Sequence, residues 1–138
     1  MNVHTTNYFD TFIEVSEDTK AMSGTIPPSK GDKKTIAQMQ YELIANHPYK
    51  YTSDDVLSRV FAERNDVPQS EFKEARDEFF SKGQACLRAS PLTKTFGFGV
   101  HSDGDGRVAI YGMETPEYGK FVANENLKKV KAMRSARK

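Results

Sequence analysis

The clearest hydrophobic pattern in the chain is a pair of alternating segments on either side of a polar turn. Residues 94–101 alternate apolar and small or polar side chains, and residues 107–113 do the same. Five apolar side chains share one face: Phe96, Phe98, Val100, Val108 and Ile110. The run between the segments, residues 102–106, is Ser-Asp-Gly-Asp-Gly, whose residues tolerate positive φ. The pattern predicts an antiparallel β-hairpin over residues 94–113.

Residues 8–15 alternate in the same way and predict an N-terminal strand that joins the hairpin, because an isolated hairpin is marginally stable. Residues 53–65 and 68–82, and a segment that begins at Thr35 and ends before Pro48, have the apolar spacing of helices. We therefore predict an α+β fold, in which a small antiparallel sheet, the N-terminal strand plus the hairpin, packs against about three helices.

The ends of these helices have recognisable signals. Thr35 followed by Gln38 fits a capping box, and Ser53 is a favourable N-cap for the second helix. Pro68 suits the first position of the third helix, and Gly83 suits a left-handed C-terminal cap. Asp54 and Asp55 follow Ser53, where two carboxylates favour the positive end of the helix dipole; they are alternatively metal ligands or an acid–base pair.

Length and charge divide the chain unevenly. Its 138 residues suit a single globular domain, which we assign to residues 1–119. Residues 120–138 hold seven basic residues and one acidic residue, whereas the total charge is only +1, so residues 1–119 carry −5. We expect residues 120–138 to be a basic segment, helical or partly disordered, with a weak helical stripe through Val122, Leu127, Val130 and Met133.

Composition also bounds the environment and excludes several chemistries. The sequence has no apolar run long enough to cross a membrane, no basic-then-apolar leader, and a single cysteine, Cys86, so we expect a cytoplasmic protein without a disulfide. Three histidines lie far apart, so no zinc pattern forms. Nucleotide-binding and hydrolase motifs are absent as well. We predict no cofactor and no metal, and the sequence leaves open both the oligomeric state and whether the protein is an enzyme.

The turn before the hairpin is the best candidate for a binding site. Two cations and two hydroxyls surround Pro91, and together they suit a phosphate or a carboxylate: Arg88, Ser90, Thr93 and Lys94. Gly97 and Gly99 leave one face of the predicted strand without side chains, which indicates either a tightly packed helix or the floor of a ligand site. His101 at the rim completes the predicted anion site and is the best candidate for acid–base catalysis.

Two other functions remain open from the sequence. The first is a nucleic-acid accessory role, in which basic residues of the C-terminal segment contact phosphates. Its candidate residues are Lys128, Lys129, Lys131, Arg134 and Arg137. The second is a protein-interaction module whose C-terminal segment becomes ordered on a partner.

Long segments of the chain resemble a family of small bacterial and fungal proteins classed only as a domain of unknown function. The segments are HTTNYFDTFIEV (4–15), IPPSKGDKKTIA (26–37), HPYKYTSDDVL (47–57), FFSKGQACLRASPLTKTFGFGVHSD (79–103) and KAMRSARK (131–138). The resemblance implies a complete domain and gives no residue a catalytic role. It also implies that the HTTNY, YTSDD, LRASPL and AMRS segments are recurring features. If these polar segments meet in space, we expect a site there.

Overall fold

The structure is a computed structural model that describes residues 4–134. Its four strands are β1 (Thr11–Glu14), β2 (Phe98–Ser102), β3 (Val108–Gly112) and β4 (Lys128–Lys131). Its five α-helices are α1 (Ile36–Ala45), α2 (Ser53–Arg64), α3 (Phe72–Phe79), α4 (Pro91–Lys94) and α5 (Pro116–Ala123). Short 3₁₀ helices cover Gln69–Glu71 and Leu87–Ala89. The predicted α+β class is confirmed.

The strands form one mixed sheet in the order β3-β2-β1-β4. β2 is antiparallel to both β1 and β3, whereas β4 runs parallel to β1. Phe12 of β1 lies opposite His101 of β2 on one side and Lys129 of β4 on the other. The sheet is therefore mixed rather than antiparallel as predicted, because a fourth strand, from the C-terminal segment, runs parallel to β1.

The helical stripe predicted through residues 122–133 is wrong in its second half. Helix α5 begins after Thr115, whose side chain accepts a hydrogen bond from the Tyr118 N–H, and it ends at Ala123. The Asn124 side chain then accepts from the Asn126 N–H at 2.9 Å, which forms a turn that stops the helix. After the turn, β4 alternates, with Val130 packed against the core and lysines on either side.

The sheet has two faces with different coverings. The inner face packs against the helices in a core that includes Ile13, Ile44, Val56, Leu92 and Val100. Phe98, Val100 and Val108 of the predicted apolar face are buried in this core, while Phe96 and Ile110 pack at its margin. The outer face carries Phe12, Gly99, His101 and Tyr111, and the aromatic side chains of α5 contact it.

Several predicted helix ends shift when tertiary contacts are present. Thr35 caps α1 as predicted, since its hydroxyl accepts from the Gln38 N–H at 3.1 Å. Thr52, not Ser53, caps α2, because Thr52 and Asp55 form a reciprocal capping box. Ser53 instead lies inside the first turn, where its hydroxyl hydrogen-bonds to Thr6 at 2.8 Å.

The third predicted helix is shorter than residues 68–82. Pro68 has an extended conformation, and the chain then forms the 3₁₀ helix before α3 begins at Phe72. Helix α3 ends at Phe79, and Gly83 does not have the positive φ predicted for it. The Gln84 side chain caps this end, because its amide donates to the Phe79 carbonyl at 2.7 Å.

The first hairpin strand begins at residue 98 rather than 94. Residues 91–94 form helix α4, and Gly97 then has a φ of +80°, which interrupts an extended backbone. The backbone of Gly97 passes so close to Ser23 that a side chain at this position would overlap the Ser23 carbonyl. The connection after β1 therefore packs against the start of β2.

Candidate functional site

The two hydroxyls of the predicted anion site hold the local fold together. The Ser90 hydroxyl donates to the Gln40 side chain and accepts from the Leu92 N–H, so it caps α4. Thr93 is fully buried, and its hydroxyl donates to the Leu87 carbonyl at 2.8 Å. Lys94 is half-buried and ends α4. Both hydroxyls thus shape the turn that carries Arg88.

Arg88 is fixed against the edge strand β4. Its Nε donates to the Lys131 carbonyl at 2.7 Å, and its own carbonyl accepts from the Met133 N–H at 2.8 Å. The four ion pairs found within residues 4–134 use other cations: Lys34, Arg76, Lys131 and Arg134. Within that described range, the Arg88 guanidinium is therefore held by the Lys131 carbonyl and has no carboxylate partner.

Tyr8 and Cys86 lie beside this guanidinium. The Tyr8 hydroxyl is 3.5 Å from the Cys86 Sγ. Burial raises the pKa of Tyr8, and the Cys86 thiol adds to that rise, whereas the nearby Arg88 guanidinium lowers it. We call Arg88, Tyr8 and Cys86 the Arg88 site. It combines one cation with a neutral hydroxyl and a half-exposed thiol.

The polar segments that the family resemblance singles out meet around the N-terminal segment. Thr5 and Thr6 donate three hydrogen bonds to the Asp54 carboxylate, each 2.7 Å long. Asn7 accepts from the Asp54 N–H at 2.9 Å. The next residue, Tyr8, reaches the Arg88 site. Arg88 in turn hydrogen-bonds to Lys131 of β4 and to Met133, which follows that strand. The four segments are thus connected in one polar region.

Asp54 and Asp55 have separate structural roles. Asp54 is only 8% exposed and ties the N-terminal segment to α2. Asp55 completes the capping box and contacts Arg76 at 2.6 Å. In the described part of the chain, no group of three or more His, Cys, Asp or Glu residues is placed to hold a metal ion.

His101 belongs to a different face of the sheet from the other four predicted anion-site residues. Leu87 and Leu92, on the segment of Arg88, pack in the inner core, whereas the His101 ring stacks on Phe121 of α5 on the outer face. The His101 Nδ1 is 2.8 Å from the Tyr49 hydroxyl, which is itself 2.8 Å from the Tyr111 hydroxyl. We call these three residues the His101 network.

The predicted ligand floor at Gly97 and Gly99 is filled by protein. A side-chain carbon at Gly99 would overlap the Phe12 ring and lie 2.7 Å from the Tyr118 ring. At Gly97 it would overlap the Ser23 carbonyl. The glycines permit close packing of a neighbouring strand, helix and loop, which is the alternative that the sequence left open.

Several basic residues of the C-terminal segment already have partners within the protein. Glu17 pairs with Lys131 at 3.6 Å and with Arg134 at 2.9 Å. Lys129 donates to the Asn124 carbonyl at 2.5 Å, and Lys128 is exposed on β4. Arg137, the fifth residue of the predicted nucleic-acid set, lies outside the described residues.

Sequence reasoning missed Tyr8 and Cys86 as neighbours of Arg88, and Tyr49 and Tyr111 as neighbours of His101. The segment resemblance marks Tyr8, but no spacing rule connects it with a residue eighty positions away. Tyr49 reaches the sheet because its N–H donates to the Val108 carbonyl at 2.9 Å. No short-range pattern predicts that pairing.

Comparison with known proteins gives a family and no function. None of the helices within residues 4–134 combines the length and the apolarity needed to cross a bilayer. No curated protein and no solved structure matches the chain. The model of a family of unknown function, DUF6157, matches residues 3–138. Because this match covers almost the whole sequence, the chain belongs to that family of unknown function.

Proposed function

We propose that the protein binds a small anionic ligand at the Arg88 site. The observation that carries the proposal is an arginine whose side chain is held by the Lys131 carbonyl, with no carboxylate partner within residues 4–134. Arginines in folded proteins commonly pair with carboxylates, and a guanidinium left without one is suited to an anion from solution. Tyr8 supplies a second hydrogen-bond donor beside it.

The fixed position of Arg88 favours binding. Its Nε is already hydrogen-bonded to the Lys131 carbonyl at 2.7 Å, so the side chain loses little conformational freedom when a ligand arrives. The terminal amino groups of a guanidinium form a planar fork that matches two oxygens of a phosphate or carboxylate. An anion there takes the Tyr8 hydroxyl as a donor in place of the weak contact with the Cys86 sulfur.

The proposal assigns supporting roles to two residues of the predicted set. Ser90 and Thr93 shape the turn around Pro91 and keep Arg88 in position, rather than contacting the ligand. For nucleic-acid binding through the C-terminal segment, or for a protein-interaction role, no specific contact of the described residues provides support. Anion binding at Arg88 is therefore the function that the contacts of the described residues favour.

Thermal unfolding with inorganic phosphate as the probe tests this proposal. Phosphate is added at constant ionic strength, with chloride as the compensating anion, so that general screening cancels. At about ten times its dissociation constant, phosphate stabilises the native state by about 1.4 kcal/mol. This corresponds to a rise in Tm of roughly 4–7 °C for a chain of this size.

Variants locate the effect. Arg88→Gln should abolish the rise in Tm, and Tyr8→Phe should reduce it, while Arg107→Gln changes an exposed arginine on the hairpin turn and should leave it intact. Equal phosphate stabilisation of the Arg88→Gln variant and the unmodified protein would refute the proposal. If Arg88→Gln itself lowers Tm because the bond to β4 is lost, the increment caused by phosphate remains the quantity compared.

A further inference from the structure

The His101 network is a hydrogen-bonded chain of three titratable side chains that the proposed anion site does not use. It runs from the His101 Nδ1 through the Tyr49 hydroxyl to the Tyr111 hydroxyl, with both separations 2.8 Å. All three residues are half-buried on the outer face of the sheet. A chain of this kind fixes both the position and the tautomer of its imidazole.

Tyr49 occupies a strained backbone conformation to reach this position. Its φ is +61°, in the left-handed region that a bulky residue rarely adopts. Two backbone hydrogen bonds of 2.9 Å hold the segment against β3, from the Tyr49 N–H to the Val108 carbonyl and from the Val108 N–H to the Tyr51 carbonyl. Such strain persists where the surrounding structure enforces it, and it concentrates at functional sites.

The imidazole is immobilised but keeps one nitrogen available. The Phe121 ring stacks on it with a centroid separation of 4.4 Å and an interplanar angle of 22°, while Tyr49 occupies Nδ1. Within residues 4–134, no hydrogen bond reaches the Nε2 of His101. The ring is thus held on one edge and one face, and its other edge offers a nitrogen to a ligand.

The charges around the ring favour proton uptake by a neutral imidazole. Burial lowers the pKa of His101, so the neutral form predominates near pH 7, whereas Asp103 and Asp10 raise it. The other titratable groups that face the ring are the hydroxyls of Tyr49 and Tyr111, and burial raises the pKa of Tyr49 well above its ordinary value. Tyr49 therefore stays protonated, and the two carboxylates stabilise an imidazolium.

We propose that His101 is the proton-transfer residue of a second site, on the outer face of the sheet, with Tyr49 as its positioning residue. The substrate class is a neutral or cationic small molecule with an acidic O–H, N–H or C–H bond, because Asp10 and Asp103 disfavour an anion. This property separates the second site from the Arg88 site. The two sites also lie on opposite faces of the sheet.

The proton transfer is balanced within the network. The Nε2 lone pair accepts the substrate proton, and the electron pair of the broken bond stays on the substrate. In this state the Nδ1–H donates to the Tyr49 oxygen, and the Tyr49 O–H donates to the Tyr111 oxygen, so no further proton moves. The imidazolium then returns its proton to the substrate or product. This direction of donation requires the tautomer with hydrogen on Nδ1 before the reaction.

Nitrogen NMR of the unmodified protein tests that requirement directly. The ¹⁵N shifts of a histidine distinguish a protonated ring nitrogen from one with a lone pair. We expect His101 to show a single tautomer with hydrogen on Nδ1 near pH 7. His4 and His47 are exposed and serve as internal references with mixed tautomers. A His101 tautomer with hydrogen on Nε2 would overturn the proposal.

Chemical modification tests the reactivity of the same nitrogen. Diethyl pyrocarbonate carbethoxylates neutral imidazoles, and peptide mass spectrometry reports the rate at each of the three histidines in one sample. We expect His101 to react in its neutral form near pH 7, because burial lowers its pKa. Tyr49→Phe should slow modification of His101 about fivefold, the effect of losing one ordinary hydrogen bond.

Tyr51→Phe is the matched control, because Tyr51 belongs to the same segment and makes no hydrogen bond to His101. It should leave the His101 rate and its pH profile unchanged. Protection of His101 in the folded protein, while His4 and His47 react, would show that Nε2 is closed and would refute the proposal. An unchanged pH profile in Tyr49→Phe would reduce Tyr49 to a structural residue and would contradict the proposal as well.

Discussion

Gly99 is the position where the packing of the outer face makes its sharpest prediction. Replacing Gly99 by alanine adds one carbon, which overlaps the Phe12 ring, lies 2.7 Å from the Tyr118 ring and lies 3.0 Å from the Ile13 carbonyl oxygen. The φ of Gly99 is not in the left-handed region, so the backbone conformation itself accepts alanine. The cost of Gly99→Ala therefore comes from overpacking alone.

The size of the destabilisation caused by Gly99→Ala follows from how tightly the neighbouring rings are packed. Phe12 is fully buried, with its ring centroid 5.0 Å from that of Tyr118 and 4.9 Å from that of Phe121. Because the ring has no free space to move into, the cost lies near the upper end of the usual overpacking range of about 1–3 kcal/mol. Loss of the flexible glycine from the unfolded chain offsets about 0.5–1 kcal/mol. We expect a net destabilisation of about 2 kcal/mol.

The measurement is thermal and urea unfolding, with Gly119→Ala as the matched control. Gly119 lies in α5, and a carbon added there meets no atom within 4 Å. Alanine should stabilise that exposed helix by about 0.5–1 kcal/mol. For a chain of this size, Tm should fall by roughly 6–10 °C in Gly99→Ala and rise by a few degrees in Gly119→Ala.

The two glycine variants should thus shift Tm in opposite directions. A Gly99→Ala protein as stable as the unmodified one would refute the close packing of Phe12, Tyr118 and β2. It would also reopen the alternative in which the glycines line an empty ligand site. If both variants changed Tm by the same amount and sign, a general effect on the unfolded chain would explain the data instead.

Three further predictions concern charged residues. Asp54→Ala should cost about 2–4 kcal/mol in urea unfolding, because two buried donors of Thr6 and one part-buried donor of Thr5 lose their acceptor, while exposed Asp77→Ala should stay within about 0.5 kcal/mol. Burial alone would raise the pKa of Asp55, but backbone and Arg76 hydrogen bonds hold the pKa below its ordinary value. The stabilisation that the ionised Asp55 contributes is therefore lost as pH falls below about 4. In Asp55→Asn, the free energy of unfolding should depend less on pH in that acid range. Burial lowers the pKa of His101, so the unfolded chain takes up a proton on this histidine before the folded protein does as pH falls below about 6.5. This difference lowers the free energy of unfolding in acid, and His101→Gln should remove that contribution.

Each of these has a clear contrary result. An Asp54→Ala protein as stable as Asp77→Ala would contradict the role of Asp54 in fixing the N-terminal segment. If the free energy of unfolding fell equally with pH below about 4 in Asp55→Asn and in the unmodified protein, the capping box would not favour the ionised carboxylate. A constant stability difference between His101→Gln and the unmodified protein from pH 7 to pH 5 would show that the histidine titrates alike in both states.

The fold class and the hairpin follow from the sequence because alternation is a local property. The apolar face of Phe98, Val100 and Val108 is present in the structure, since a period of two fixes which side chains face the core. Strand β4 was missed because four residues, Lys128–Lys131, contain a single apolar side chain. Its strand conformation depends on pairing with β1, more than one hundred residues earlier in the chain.

The candidate site was predicted less completely than the fold, because it also depends on contacts between residues far apart in the chain. The sequence places Arg88, Ser90 and His101 close together along the chain, but it does not show that the sheet separates His101 from the other two. Nor does it show that Ser90 and Thr93 use their hydroxyls to shape the turn. The neighbours of Arg88 and His101, Tyr8 and Tyr49, come from distant segments and depend on tertiary packing.

NMR of the arginine side chains during a phosphate titration tests the central claim most directly. With ¹⁵N-labelled arginine, the Nε–H of Arg88 should stand apart, because it is hydrogen-bonded to the Lys131 carbonyl. Anion binding predicts a saturable shift of this signal at constant ionic strength, while exposed Arg64 and Arg107 stay unchanged. A small dicarboxylate, titrated in the same way, covers the second class of anion. If Arg88 shifts no more than Arg64 and Arg107 with either anion, the Arg88 site does not bind anions and the proposed function is wrong.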